Sequence, residues 1–154
     1  MDEARFRLAM GHFATGVAVV TSALGTEMSG MTVSAFASLS LDPTLVLICV
    51  EKSVLTHETI TESRLFAVNI LREDQEEISR RFAERTDSKF FGVGLRLGSL
   101  GVPLLDPCLA TVECRLHSSI SGGDHTIFIG EAVAVEVFGG EPLLYYRSGY
   151  REMK

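Results

Sequence analysis

The chain has 154 residues with a formal net charge of −6, an ordinary globular share of 46% hydrophobic residues, and 22% charged residues. The acidic balance excludes nucleic acid as the main partner, because binding a phosphate backbone requires a basic face. This composition also excludes disorder, and the length predicts one domain over residues 1–154.

The mean hydropathy of +0.24 is high, but no apolar run approaches the roughly 20 residues of a membrane span. We therefore expect a subunit interface rather than a membrane contact. The first ten residues, MDEARFRLAM, are charged at once and lack the apolar core of a signal peptide. A cytoplasmic location is the resulting expectation.

The first half of the chain predicts two helices and three strands from apolar periodicity and turn residues. Gly16 is expected to end the first helix, and Ser53 is expected to cap the second. The strand at 44–50 is almost wholly apolar, which predicts burial on both faces. In chain order, the predicted elements are helix 3–15, strand 17–24, strand 31–36, strand 44–50 and helix 54–63.

The second half predicts a helix stabilised by two i,i+4 pairs, Glu76–Arg80 and Glu77–Arg81, followed by a Gly-rich loop over a site or interface at 86–107. A long hairpin then turns at SGGD. In chain order, the predicted elements are strand 65–71, helix 73–84, strand 108–120, strand 125–138 and strand 143–147. Many strands without βαβ alternation predict a mainly β, antiparallel barrel with two or three peripheral helices.

The three cysteines are odd in number and show no CxxC spacing. Cys108 and Cys114 lie too far apart along one strand to form a disulfide. We interpret all three, Cys49 included, as buried small hydrophobic residues in a reducing compartment, with redox chemistry as the alternative.

Several catalytic motifs are absent from the sequence. His57–Thr61 fails the HExxH pattern, and neither a GxSxG elbow nor a P-loop is present, so no metal site is predicted. Gly92–Gly98 has the wrong spacing for a dinucleotide fingerprint and does not join a strand to a helix. Any nicotinamide cofactor must bind without a Rossmann fold.

The junction Glu51–Thr56 joins a predicted strand to a helix N-terminus, where free backbone N–H groups carry partial positive charge. Lys52 adds a cation, while Ser53 and Thr56 add hydroxyl donors. Together they indicate a phosphate site. The alternative is a Ser-capped helix with nothing bound.

Thr32, Ser34, Ser38 and Ser40 recur at nearly every second residue, which would direct their hydroxyls to one face of a strand. Such donors suit the edge of a flavin ring, and a solvated edge strand is the alternative. His125 follows Gly-Gly-Asp, where a ligand can approach the backbone closely; the alternative is a solvent-facing hairpin tip.

The segments in their order resemble the flavin reductase-like family of FMN-binding split barrels, and especially the short NAD(P)H:flavin oxidoreductases of two-component monooxygenases. The resemblance spans almost the whole chain. The matching pieces are FATGVAVVTS (13–22), GMTVSAFASLSLDPTLVLICVEKSVLTHETI (30–60), FAVNIL…DQEEISRRFA (66–83), ATVECRL (110–116), GGDHTIFIGEAV (122–133) and PLLYYRSGYR (142–151).

The resemblance implies a homodimer of Greek-key split barrels that bind FMN or FAD near the subunit interface. It assigns Arg81 and Phe82 to closing over the flavin, and Asp124 and His125 to the NADH or NADPH site. The other implied cofactor contacts are Thr32, Val33, Ser34, Ala35, Ser38, Ser40, Cys49, Val50, Glu51, Lys52, Ser53, Val54, Leu55, Thr56 and Tyr150. Tyr145–Tyr146 stands where many members carry Tyr-His, which leaves the nicotinamide role of the C-terminal segment open.

The implied reaction is hydride transfer from nicotinamide to flavin, with no essential general base and with the reduced flavin passed to a partner monooxygenase. A flavin-binding electron carrier without turnover is the alternative. An oxidase of pyridoxamine-phosphate type would need a substrate clamp that the sequence does not display.

Overall fold

The computed structural model describes residues 1–154 as three helices and twelve strands. The helices are α1 (Glu3–Met10), α2 (Leu55–Ser63) and α3 (Glu76–Phe82). The strands are β1 (Thr15–Gly16), β2 (Ala18–Leu24), β3 (Glu27–Val33), β4 (Phe36–Leu41), β5 (Thr44–Glu51), β6 (Leu65–Ile70), β7 (Leu95–Leu97), β8 (Pro103–Leu105), β9 (Ala110–Gly122), β10 (His125–Val137), β11 (Leu144–Tyr146) and β12 (Gly149–Arg151).

Seven strands form one antiparallel sheet in the order β3-β2-β6-β9-β10-β5-β4. Its two edge strands, β3 and β4, are consecutive in the chain and separated only by Ser34 and Ala35. Because two residues cannot span an open seven-stranded sheet, the sheet must curl until its two edges meet at this link. The Ala35 carbonyl accepts a hydrogen bond from the Cys49 amide of β5 at 3.1 Å, which extends the β4–β5 pairing into the link. The predicted fold class, mainly β and antiparallel with peripheral helices, is confirmed.

The barrel interior is filled by apolar side chains from alternate strand positions. On β5 these are Val46, Ile48 and Val50, which pack with Phe66 and Phe128. The outward side chains of β5 are only half-buried, so the prediction that this strand is buried on both faces was wrong. The chain itself supplies no layer over that outer face.

Outside the barrel, α3 and β8 cover a second core that includes Val17, Val19 and Phe82. The segment predicted as an irregular loop, 86–107, contains two short paired strands, β7 and β8. Part of this segment lies over β9 and buries Glu113, whose carboxylate accepts hydrogen bonds from Leu100 N at 2.9 Å and Ser99 Oγ at 3.3 Å.

The helix boundaries differ from those predicted. The first helix ends at Met10, and Gly16 belongs to β1 rather than to a helix stop. Helix α3 begins at Glu76 because Gln75 is engaged elsewhere: its side chain accepts from Arg72 N at 2.8 Å and donates to Pro107 O at 2.7 Å. None of the three helices has both the length and the apolar character of a membrane span.

Both predicted ion pairs on α3 are confirmed. Arg80 lies 2.7 Å from Glu76, and Arg81 lies 3.8 Å from Glu77. On the inner face of α3, Phe82 is fully buried and Ile78 packs against the same core.

All three cysteines are free thiols. Burial raises the pKa of Cys108 to about 11 and that of Cys114 to about 12, so both remain protonated and unreactive near neutral pH. The interpretation as buried hydrophobic residues is confirmed for these two. Cys49 is only partly buried on β5.

Helix α2 is fastened to the start of β10 by His57. Its Nε2 lies 2.7 Å from Thr126 Oγ1, and its ring packs at a tilt on Phe128 with 5.0 Å between centroids. Burial lowers the pKa of His57, and the positive charge of Lys52 lowers it further. The neutral ring is therefore the form that fits the folded protein.

We expect acidification to weaken this fastening. The unfolded state, with a histidine pKa of about 6.5, takes up the proton first as the pH falls. The stability from His57 is present above about pH 6.5 and is lost as the pH falls through the lower folded-state pKa. The thermal midpoint should thus fall on acidification, and His57→Gln should make that fall smaller. His117→Gln, at an exposed position of β9, is the control; an unchanged pH profile in His57→Gln would contradict the assignment.

Candidate functional site

A cleft of about 400 Å³ opens between β3, the N-terminus of α2 and the segment that follows α3. We call it the α2 cleft. Four consecutive residues of the predicted phosphate site, Ser53 to Thr56, line one wall. The full lining is Glu27, Met28, Ser29, Gly30, Ser53, Val54, Leu55, Thr56, Arg85, Thr86, Asp87, Lys89 and Phe90.

The α2 wall of the cleft presents a helix N-terminus without a side-chain cap. The N-cap is Val54, which has no polar side chain, so the predicted capping role of Ser53 was wrong. Ser53 instead donates its hydroxyl proton to Glu51 Oε1 at 2.8 Å. The first amides of the helix therefore keep unpaired N–H groups and a partial positive charge toward the cleft.

The opposite wall contains a buried hydroxyl without a partner. Ser29 is only 5% exposed, and its Oγ makes no hydrogen bond. A buried polar atom of this kind usually has a partner, so its presence in the lining of a cleft indicates a polar ligand. Ser29 was not singled out from the sequence, because a Ser in a turn-like GTEMSG run gives no signal of burial.

Two cations complete the α2 cleft. The Lys89 ammonium donates to the Gly30 carbonyl at 3.0 Å and to the Phe82 carbonyl at 3.2 Å, and burial, assisted by the charge of Arg85, lowers the pKa of Lys89. Arg85 lies at the rim. The expectation that a loop beginning near residue 86 covers a site agrees with this geometry. The sequence did not identify Arg85 and Lys89 as the cations of the site, because their position depends on how the segment after α3 folds back.

Gly30 lets the segment carrying Lys89 approach β3 closely. A Cβ at this position would lie 2.9 Å from the Phe82 ring and 3.2 Å from the Phe90 ring, which themselves meet edge-to-face with centroids 5.0 Å apart. Phe82 is thus buried beneath the cleft, whereas the resemblance implied that it closes over a ligand.

The carboxylate of Glu51 lies at the rim of the α2 cleft. Arg85 Nη2 approaches both of its oxygens at 3.2 Å, beside the hydrogen bond from Ser53. The Ser53 hydrogen bond, together with the Arg85 charge, holds the pKa of Glu51 below its ordinary value. In the sheet, Glu51 is the register partner of His125. The cleft and the predicted nicotinamide residue are therefore neighbours.

The hairpin between β9 and β10 carries Asp124 and His125, whose Oδ1 and Nδ1 lie 2.7 Å apart. That hydrogen bond lowers the pKa of the Asp124 carboxyl. Lys52 also belongs to this region: its Nζ donates to Ser121 Oγ at 2.6 Å, and its amide donates to the Asp124 carbonyl at 2.9 Å. Lys52 was predicted beside the phosphate, but its ammonium contacts the hairpin and does not line the cleft.

The four hydroxyl residues predicted on one strand face are divided between different surroundings. Thr32 donates to the Ser79 carbonyl at 2.6 Å, and Ser40 accepts from the Asp42 amide at 3.2 Å. Ser38 is exposed on β4, where a bulge follows it. Ser34 lies in the link between β3 and β4. The single-face arrangement was wrong, because β3 ends at Val33 and β4 begins only at Phe36.

A second cavity of about 220 Å³ lies near this link, and it includes the predicted residues Val33 and Ser34. It is mostly apolar, and Thr15 Oγ1 nearby is buried without a hydrogen-bond partner. Its lining is Phe13, Ala14, Thr15, Gly16, Val17, Ala18, Val33, Ser34, Phe36 and Ile70.

The remaining predicted residues serve the framework around these cavities. Arg81 donates to the Phe91 carbonyl at 2.6 Å, and the Tyr150 hydroxyl lies 2.7 Å from Ser79 Oγ on α3. Val50 is in the barrel core, Cys49 faces outward on β5, and Ala35 joins the sheet edges.

The sequence of this chain is similar to those of several known proteins. A probable flavin reductase of Rhizobium meliloti (strain 1021) is 42% identical over 151 residues, which is 97% of this chain but 48% of the relative. The chain thus spans about half the length of that protein. The reductase component of a 4-nitrophenol 4-monooxygenase/4-nitrocatechol 2-monooxygenase from Rhodococcus opacus is 39% identical over 150 residues, covering 97% of this chain and 80% of the relative.

Solved structures agree with this result. The NADH:FAD oxidoreductase SgcE6 of Streptomyces globisporus C-1027, in complex with NAD and FAD fragments, superposes with a TM-score of 0.95 at 39% identity, covering 99% of this chain and 93% of that one. The family model described as "Flavin reductase like domain" matches residues 10–154. With nearly its whole length matched, this chain belongs to the flavin reductase-like domain family.

Proposed function

We propose that this protein is an NAD(P)H:flavin oxidoreductase that transfers hydride from a nicotinamide to FMN or FAD and supplies reduced flavin to a separate monooxygenase. The observation that carries the proposal is the α2 cleft, where an unpaired Ser29 hydroxyl, a free helix N-terminus and two cations converge. The names of the relatives support it, since one is a monooxygenase reductase component and another an NADH:FAD oxidoreductase.

The residues of the α2 cleft fit the phosphate of a flavin. Amides at the start of α2 and the hydroxyls of Ser53 and Thr56 are donors suited to an anion. Arg85 and Lys89 supply the opposite charge. Val33 at the end of β3, Ser34 in the link and the apolar cavity that they line offer a surface of the kind that a flat, partly apolar ring requires.

A bound flavin would supply the hydride-accepting ring, which is the demanding part of the chemistry. The chain's own contribution is to bind, to orient and to exclude water. Asp124 holds the His125 imidazole through Nδ1, so Nε2 is left available to contact a carboxamide or a phosphate of the nicotinamide cofactor. No residue of the site is assigned as a general base.

We also propose a homodimer of single-domain chains, 1–154, located in the cytoplasm. The outer face of β5 and β10 carries half-exposed apolar side chains, namely Leu45, Leu47, Cys49, Ile127 and Ile129. Ile120, the register partner of Ile127, is 51% exposed. A second copy packed on this face would bury these side chains. The three free thiols are typical of a reducing compartment.

The alternative is a flavin carrier of the same fold without turnover. A rapid-mixing experiment separates the two: the protein with FMN or FAD is mixed anaerobically with NADH or NADPH, and the visible absorption of the flavin is followed. A reductase loses this absorption in step with oxidation of the nicotinamide. Flavin binding without any such loss would support the carrier, and failure to bind either flavin would contradict both functions.

Removal of the imidazole should affect nicotinamide binding more than hydride transfer. We expect His125→Ala to raise the KM for NADH by roughly tenfold while the first-order transfer rate at saturation changes by less than about threefold, since a binding contact acts on the ground state and the transition state alike. His117→Ala is the matched control on the neighbouring strand. A thousandfold loss of transfer rate with unchanged binding would refute this role.

A further inference from the structure

A carboxylate of the chain itself engages two of the groups proposed to bind the flavin phosphate. Glu51 Oε1 accepts from Ser53 Oγ at 2.8 Å, and both Glu51 oxygens lie 3.2 Å from Arg85 Nη2. Ser53 and Arg85 line the α2 cleft, whereas Glu51 does not. The anion is therefore attached at the rim and reaches donors that belong to the cleft.

The hydroxyl of Ser53 can donate to only one acceptor at a time, so Glu51 and a bound phosphate would compete for it. A serine hydroxyl has one proton to donate, and here Glu51 receives it. A phosphate that carries its full negative charge offers only acceptors, so Ser53 can donate to it only after releasing Glu51. Arg85 has five N–H donors and is less restricted, but its positive charge is partly neutralised by the same carboxylate.

The ion pair between Glu51 and Arg85 is weak enough for a phosphate to break it. The side chains of Glu51 and Arg85 are 39% and 68% exposed, and ion pairs this accessible contribute little net stability. A phosphate would have to displace Glu51 before it could bind, and the small free-energy cost of that displacement would lower the affinity for the phosphate without abolishing binding. The displaced carboxylate would also stay near the bound phosphate and repel it.

We propose that Glu51 is a specificity-determining residue: it competes with the flavin phosphate for Ser53 and Arg85 and keeps the flavin loosely bound and exchangeable. The inference rests on the proposed function, because a reductase that passes reduced flavin to another protein must release it. Glu51 thus sets the balance between a flavin that is retained and one that leaves. It acts through the phosphate and leaves recognition of the ring unchanged.

Glu51→Gln tests this directly, since the amide keeps the size of the side chain and loses its charge. We expect the Kd for FMN, measured by titration of flavin fluorescence without nicotinamide, to fall about threefold to tenfold, because the exposed ion pair contributes little and the charged hydrogen bond from Ser53 contributes more. The Kd for riboflavin, which has no phosphate, should remain within about twofold. Glu76→Gln is the matched control: its carboxylate is also paired with an arginine and is 49% exposed, but it lies on α3 outside the cleft lining.

A double-mutant cycle identifies the donor that Glu51 occupies. If the freed Ser53 hydroxyl contributes to the gain, Ser53→Ala should remove a large part of the tightening that Glu51→Gln produces. Glu51→Ala provides a second variant with the same expected rise in the ratio of riboflavin Kd to FMN Kd. Circular dichroism of each variant checks that the barrel has folded.

Several results would overturn the inference. Unchanged FMN affinity in both Glu51 variants, weaker FMN binding, or equal tightening of riboflavin and FMN would each show that Glu51 does not compete with the phosphate. Those outcomes leave the proposed function intact so long as the unmodified protein binds flavin and oxidises NADH. Failure of the unmodified protein to bind any flavin would instead remove the proposed function, and this inference with it.

Discussion

The register of β5 on β10 is the constraint on which the rest of the site depends. It pairs Glu51 with His125 at the end of both strands, and the Lys52 amide extends the pairing to the Asp124 carbonyl. Because α2 begins only four residues after β5 ends, the same register fixes the helix N-terminus beside the hairpin. A shift of β5 by one residue relative to β10 would move each of its side chains to the opposite face of the sheet. The residues that we propose for flavin binding and for nicotinamide binding are thus neighbours through backbone geometry.

Side-chain contacts then hold the two halves of the site together. Lys52 joins the junction to the hairpin through Ser121, and His57 joins α2 to β10 through Thr126. Neither residue lines the α2 cleft. In our proposed function, these contacts would hold in position the two surfaces that align the flavin and nicotinamide rings, for which orientation supplies much of the rate.

Close packing around β3 brings the second set of cleft residues into place. Gly30 has no side chain, which allows Phe82 and Phe90 to pack beneath it and lets Lys89 reach the Gly30 carbonyl. The cations of the cleft therefore come from a segment that is remote in sequence from α2. The carboxylate of Glu51 balances one of them, and in our proposal this balance makes the flavin exchangeable.

Local patterns in the sequence determined the long strands β2, β5, β6, β9 and β10, the hairpin, the ion pairs of α3 and the strand-to-helix junction at Glu51–Thr56. Each depends on neighbours within a few residues: alternation, a Gly-Gly turn, or i,i+4 spacing. Only the tertiary structure decided that Lys52 turns to the hairpin, that Thr32 binds Ser79, and that Ser29, Arg85 and Lys89 face α2. Those contacts depend on how the barrel closes and how the segment after α3 folds back, and they join residues whose separation along the chain leaves no periodic signal.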